Sequence, residues 1–175
     1  QMTSYYSLDL RSDFMQLYEK DASGLDFRTM AYFSESGVGD DMKYRLSKLT
    51  DIYELNNMAS NRPAELILGV NLIRLPEMYY IAAEALLDSD YDAALALYND
   101  VRMHRGLDPL EADKTLTVEL INDERYKEMI GEGQTYFNMK RQNLPILSHD
   151  GKSTYNPADG IYSIPVPDVE FENRN

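Results

Sequence analysis

The sequence predicts a mainly α fold: tetratricopeptide-like helical hairpins, with irregular loops and short strands wrapped around them. Three observations lead to it. Residues 74–141 place apolar side chains at helical spacing in consecutive stretches that begin and end on helix-capping residues. Inside that span, Met78-x2-Ile81-Ala82-x2-Ala85 followed by Ala94-x3-Tyr98 matches the 34-residue tetratricopeptide pattern, in which small residues let two helices cross closely and a ring fills the gap beyond them. The remaining apolar runs are short and interrupted by Asp, Asn, Gly, Ser and Pro, which divides them into strands and loops. A chain of 175 residues is long enough for one core, so residues 1–175 read as a single domain built on the helical part at 74–141.

At the start, Tyr5, Tyr6, Leu8 and Leu10 alternate in part, as a short strand or extended arm would. Ser12 opens a short helix over 12–19, and the turn residues at 21–24 end it. Asp26 and Arg28 read as a structural pair. Residues 29–33 read as a strand leading into the turn-rich stretch 34–41. Gly37-x-Gly39 could cradle a phosphate only with a helix and a Lys or Ser/Thr signature behind it; acidic neighbours follow instead, so it is a loop. Residues 42–72 are irregular, with a strand at 43–46, a loop at 56–63 and an apolar run at 66–72 that delivers the chain into the helices.

Pro76 sits where a first helical turn tolerates a missing N–H, and Met78, Ile81, Ala82 and Ala85 form the apolar stripe of that helix. Residues 88–90 break the period and Asp90 caps the next helix. Ala94, Leu95, Tyr98, Val101 and Arg102 carry that helix to Gly106, so it folds back on the first with Ala82 and Ala94 near the crossing. Asp88-Ser89-Asp90-Tyr91-Asp92 has the first three ligand positions of a calcium loop, but Ala93 replaces the turn glycine and Asn99 the bidentate Glu, which leaves a tight turn. Thr117 caps a third helix over 118–130, where Val118, Ile121 and Met129 share a stripe with Arg125, Glu128 and Glu132. One reading of these embedded charges is a structural ion pair between Arg125 and Glu128 or Glu132. The other is a carboxylate pair for glycoside hydrolysis built on Glu124, Glu128 and Glu132. Against it, an adjacent Arg keeps carboxylates ionised, and acids on one helix cannot flank a bond.

After residue 141 the chain becomes loop-like. Residues 148–160 form an exposed excursion carrying Tyr155, and 161–165 are extended, since Pro165 and Pro167 keep them out of a helix. A net charge of −13 argues against nucleic acid as a partner. The chain has no cysteine, which removes disulfides, thiolate zinc sites and cysteine nucleophiles. His104 and His149 stand far apart with no ligand at metal spacing, and no Gly-x-Ser-x-Gly occurs, so no metal, cofactor or catalytic residue is expected. Neither a signal peptide nor an apolar run of about 18 residues is present.

Three blocks carry a family resemblance. They are Arg74-Leu75-x-Glu77-Met78-Tyr79-x-Ile81-x-Ala83-Glu84-Ala85, then Ala94-x3-Tyr98-Asn99-x-Val101-Arg102-x2-Arg105-Gly106-Leu107, then Glu124-Arg125-x2-Glu128-x3-Glu132-Gly133-x2-Tyr136-Phe137-x3-Arg141. With Asp26-x-Arg28 upstream and Ile164-Pro165-Val166-Pro167-Asp168-x-Glu170 near the end, the chain resembles the C-terminal portion of the SusD/RagB family. It departs from the family pattern at Thr135 and Asn138, where an Arg–Asp pair is usual. Family members are several times longer and resemble lipoproteins anchored through an N-terminal cysteine that this chain lacks, so a truncated product is expected.

The resemblance implies a non-catalytic cell-surface component that captures an oligosaccharide or other extracellular nutrient. It would pass this to a SusC-like TonB-dependent transporter at the extracellular face of the outer membrane, held there by the lipid anchor. The hairpin spacing alone would suggest a tetratricopeptide-like scaffold for protein partners. The chain holds 14 tyrosines and no tryptophan, and a tyrosine ring offers a sugar an apolar face with a hydroxyl at its edge. Tyr32, Tyr155 and Tyr162 sit in or beside loops and are the candidate saccharide contacts.

Overall fold

The computed structural model describes residues 10, 12–19, 26–39, 42–48, 73–148 and 150–164. The expectations for residues 1–9, 21–24, 56–63, 66–72 and 165–170 lie outside them. The chain divides into two compact units, Gln1–Gly131 and Glu132–Asn175. Six helices and four short strands are present among the described residues, so the protein is mainly α as expected.

In the first unit, α1 (Ser12–Glu19) and α2 (Phe27–Tyr32) precede strands β1 (Phe33–Ser36) and β2 (Lys43–Leu46), which pair antiparallel with Phe33 opposite Leu46. The strand expected at 29–33 is therefore a helix up to Tyr32. Its cause is local: the Asp26 carboxylate accepts from the Arg28 backbone N–H and caps the first turn. Met15, Tyr18 and Phe33 are buried together, with Phe14, Tyr44 and Leu46 packed around them.

α3 (Leu75–Leu86) and α4 (Tyr91–Met103) form the expected hairpin, with Pro76 in the first turn of α3 and Asp90 capping α4 through the Ala93 N–H at 3.2 Å. Gly106 closes the far end at φ 80°, a conformation glycine adopts without strain. α4 buries Ala94, Tyr98, Val101 and Arg102, as its period predicts. α3 does not bury its expected face. Tyr80 and Ala83 enter the core with Tyr79, Leu86 and Leu87 beside them, whereas Met78, Ile81 and Ala85 are exposed. The small residue of α3 buried in the same cluster as Ala94 is therefore Ala83, one position on from Ala82. α5 (Val118–Glu128), capped by Thr117, adds Ile121 to this core.

The second unit contains α6 (Gln134–Gln142), which ends on Asn143 in the left-handed conformation with Leu144 N–H returning to the Met139 carbonyl at 2.9 Å. Asn138 keeps hold of Arg141, whose Nη2 donates to its Oδ1 at 2.8 Å. The excursion expected at 148–160 is exposed but structured. β3 (Ile146–Leu147) pairs with β4 (Thr154–Tyr155), and a 3-10 turn follows at Pro157–Asp159. Residues 161–163 turn rather than extend, with the Ser163 N–H donating to the Gly160 carbonyl at 2.9 Å. Among the described residues no helix is long and apolar enough to cross a membrane.

Candidate functional site

Beneath the hairpin, in the first unit, lies a buried charge cluster centred on three carboxylates. Arg28 forks onto Asp26, its Nε to Oδ1 at 2.9 Å and its Nη2 to Oδ2 at 2.7 Å. The same Nη2 reaches Glu124 Oε2 at 2.8 Å, and Nη1 lies 3.5 Å from Glu128 Oε2. Arg105 in turn forks onto Glu128 at 2.9 and 2.8 Å. Arg74 and the Tyr32 hydroxyl also donate to Glu128, and Lys127 and Arg102 reach Glu124. Every oxygen of these three carboxylates therefore accepts at least one hydrogen bond.

That completeness is what makes the burial tolerable. Stripping an ion of water costs several kcal/mol unless its partners and hydrogen bonds are supplied by the protein. Burial disfavours the charged form of Arg28, yet the Asp26 hydrogen bonds and the Glu124 and Asp26 charges outweigh it and raise its pKa. Glu128 shows the converse. Burial would raise its pKa, but the Arg105 hydrogen bonds and the charges of Arg105, Arg74 and Arg28 hold it below its ordinary value. An acid so held is a poor proton donor. Tyr18 seals the cluster with a hydroxyl donating to the Lys127 carbonyl at 2.8 Å and a ring 5.7 Å from the Arg28 guanidinium carbon. Tyr80, fully buried, has a hydroxyl with no hydrogen-bond partner among the described residues.

Arg125 is buried, as one sequence reading held, and it reaches a carboxylate on another helix. It donates to Glu84 of α3 at 3.0 Å and to Asn122 at 3.4 Å. Glu128, one of its expected partners, is occupied by Arg74 and Arg105.

The three candidate tyrosines fall in different surroundings. Tyr32, in the first unit, is half-buried against Glu128, and the Lys48 ammonium lies 4.2 Å from its ring centroid. In the second unit, Tyr155 stands opposite Ile146 in the small hairpin and is 51% exposed. Tyr162 is half-buried, anchored by its hydroxyl to the Leu144 carbonyl, with its ring 5.7 Å from that of Tyr136. Tyr136 and its neighbour Phe137 are both exposed.

The cluster joins Asp26-x-Arg28 to the blocks at 74, 102–105 and 124–128, and the model of the SusD family matches residues 27–171, spanning all of them but Asp26. The chain belongs to the SusD family. Among solved structures, a SusD superfamily protein from Bacteroides thetaiotaomicron superposes with a TM-score of 0.62 at 22% identity, over 94% of this chain and 39% of that one. A putative sugar binding protein from Bacteroides vulgatus gives 0.57 at 24% identity, over 92% and 36%. A second SusD superfamily protein from Bacteroides vulgatus gives 0.50 at 25% identity, over 82% and 30%. The chain thus spans less than two fifths of the length of the SusD-type structures it matches. No curated protein sequence matches it.

Two features of this SusD-family chain escaped the sequence reading. Arg74, Arg102 and Arg105 stood in the family blocks, but their convergence on Glu124 and Glu128 is tertiary and leaves no local signal. Tyr136 and Phe137 did leave one: adjacent residues on a helix point about 100° apart, so one buried face cannot take both rings.

Proposed function

We propose that this chain is part of a non-catalytic nutrient-binding protein of the cell surface. Its ligand is an extracellular oligosaccharide, and it works beside a SusC-like TonB-dependent transporter at the outer face of the outer membrane. The observation that carries the reading is the family match over residues 27–171, and the fold likeness to a putative sugar binding protein supports it. The carboxylates support the non-catalytic part, because Glu124 and Glu128 are spent on arginines and Glu128 is held ionised. Tyr155 offers the most open ring of the three proposed contacts, and Tyr162 and Tyr32 offer partly covered ones.

Calorimetry of the full-length protein against a panel of neutral oligosaccharides tests it, since this portion alone is expected to bind weakly or not at all. At least one should bind without being cleaved, and Tyr155→Ala should weaken that binding about tenfold, equivalent to about 1.4 kcal/mol. Silence on every oligosaccharide, or cleavage of any, removes the reading. Retention of a large outer-membrane β-barrel on the immobilised protein would support the transporter partnership.

A further inference from the structure

Helix α6 carries two rings and two cations on one outer face. At 100° per residue Tyr136, Phe137, Lys140 and Arg141 fall within about 140° of one another. All four are exposed, whereas the remaining residues of the helix are partly buried. The two rings make a corner: Tyr136 and Phe137 meet edge to face, with centroids 5.7 Å apart and planes at 77°. Tyr162 backs Tyr136 at 5.7 Å, and its hydroxyl is anchored to the Leu144 carbonyl, so the corner is held from behind. Phe137 is 65% exposed, which leaves its side of the corner open.

The charge of this face is opposite to that of the chain. α6 holds two bases and no acid, in a protein with a net charge of −13. A helix C-terminus favours cations, which accounts for the sign of Lys140 and Arg141 but not for the two open rings beside them. Asn138 accepts from Arg141 Nη2 at 2.8 Å through an amide oxygen, which orients the guanidinium and adds no negative charge. Lys140 makes no ion pair among the described residues.

A sugar lays its C–H face on an aromatic ring, and a carboxylate on that sugar would meet an ammonium and a planar guanidinium fork. Single-stranded nucleic acid also stacks on rings beside cations. It would bring a charge with every nucleotide to an acidic protein that offers two cations here, and repulsion from the rest of the chain works against it. An oligosaccharide with one acidic unit keeps the stacking and brings a single charge. We infer that the outer face of α6 is a subsite for a uronic acid unit of the captured oligosaccharide, with Tyr136 and Phe137 against its ring and Lys140 and Arg141 at its carboxylate. The inference rests on the oligosaccharide-binding reading and adds to it a charge preference and a set of contacts separate from Tyr155.

Calorimetry of the full-length protein against a set of uronic-acid oligosaccharides, each paired with its carboxyl methyl ester, tests it. The acid should bind about tenfold more tightly than the ester. Lys140→Gln should remove most of that preference, and Phe137→Ala should weaken both members of the pair. Lys114→Gln, at an exposed lysine of the first unit, is the control and should change neither. Equal affinity for acid and ester overturns the subsite and leaves the oligosaccharide reading standing, whereas no binding of either removes both. An equal loss in Lys114→Gln would reduce the preference to general charge, and an unchanged Phe137→Ala would mean that the rings take no part; each also overturns the subsite.

Discussion

Arg28 and Glu124 stand 96 positions apart in the sequence and 2.8 Å apart in the fold. The guanidinium that Asp26 grips from two residues away is thereby also the link between α2 and α5. Arg28→Ala leaves Asp26 and Glu124 buried without it, and removing one partner of a buried pair costs about 3–5 kcal/mol. Arg28→Lys should recover little, since an ammonium cannot fork onto Asp26 and reach Glu124 together. Urea unfolding of both variants checks this; a midpoint near that of the parent for either would show the cluster to be dispensable.

The opposite outcome is expected at Tyr80. Its hydroxyl is fully buried with no partner among the described residues, and an unsatisfied buried polar group costs about 1–3 kcal/mol. Tyr80→Phe keeps the ring and removes that cost, so the thermal midpoint should stay level or rise. A drop of several degrees would mean that the hydroxyl is bonded in solution.

Acid sensitivity follows from Glu128. Its folded-state pKa lies below the ordinary 4.5, so its contribution is complete above that value and is lost as the pH falls through the folded pKa. Stability measured from pH 7 downward should therefore fall below about pH 4.5, with less of a fall in Glu128→Gln, which starts from a lower plateau. Parallel curves for parent and variant would assign the acid response elsewhere.

Ala83 and Ala94 are both fully buried in the core that α3 and α4 share. Ala94→Leu should cost about 1–3 kcal/mol through overpacking, and Ala83→Leu a similar amount. Ala82→Leu, on the half-exposed side, should cost much less. A ranking by melting temperature with Ala82 as the most sensitive of the three would reverse the assignment of faces.

That reversal was the reading the sequence invited, and the reason is physical. Helical period finds a buried face by contrast with a polar one, and α3 has apolar residues on both, so the pattern identifies the helix without choosing its side. α4 has the contrast, and its buried residues were legible one by one. Caps are local, so Pro76, Asp90 and Thr117 marked helix starts correctly. Asp26 is also a cap, but the short apolar run behind it suited a strand equally well. Arg125 offered Glu128 and Glu132 as near neighbours in sequence; the Glu84 carboxylate to which it donates is 41 positions away, and no local rule reaches that far. The rings of Tyr155 and Tyr162 were visible as residues, whereas the turn holding Tyr162 depends on hydrogen bonds to Gly160 and Leu144.

The separation of Arg28 from Glu124 also sets an order of events while the chain is being made. Asp26 and Arg28 can pair as soon as both have left the ribosome. Glu124 arrives 96 residues later, which at about 5–20 residues per second is on the order of 5–20 s. During that interval Arg74, Arg102 and Arg105 emerge in turn to join Arg28, still without the two glutamates that gather them, and closing so long a loop carries its own entropic cost. The helices before α5 can form early but cannot take up their final arrangement. Completion of the first unit is thus tied to nearly the last helical turn of it to be synthesised, and a nascent chain halted short of residue 124 should remain open to proteases.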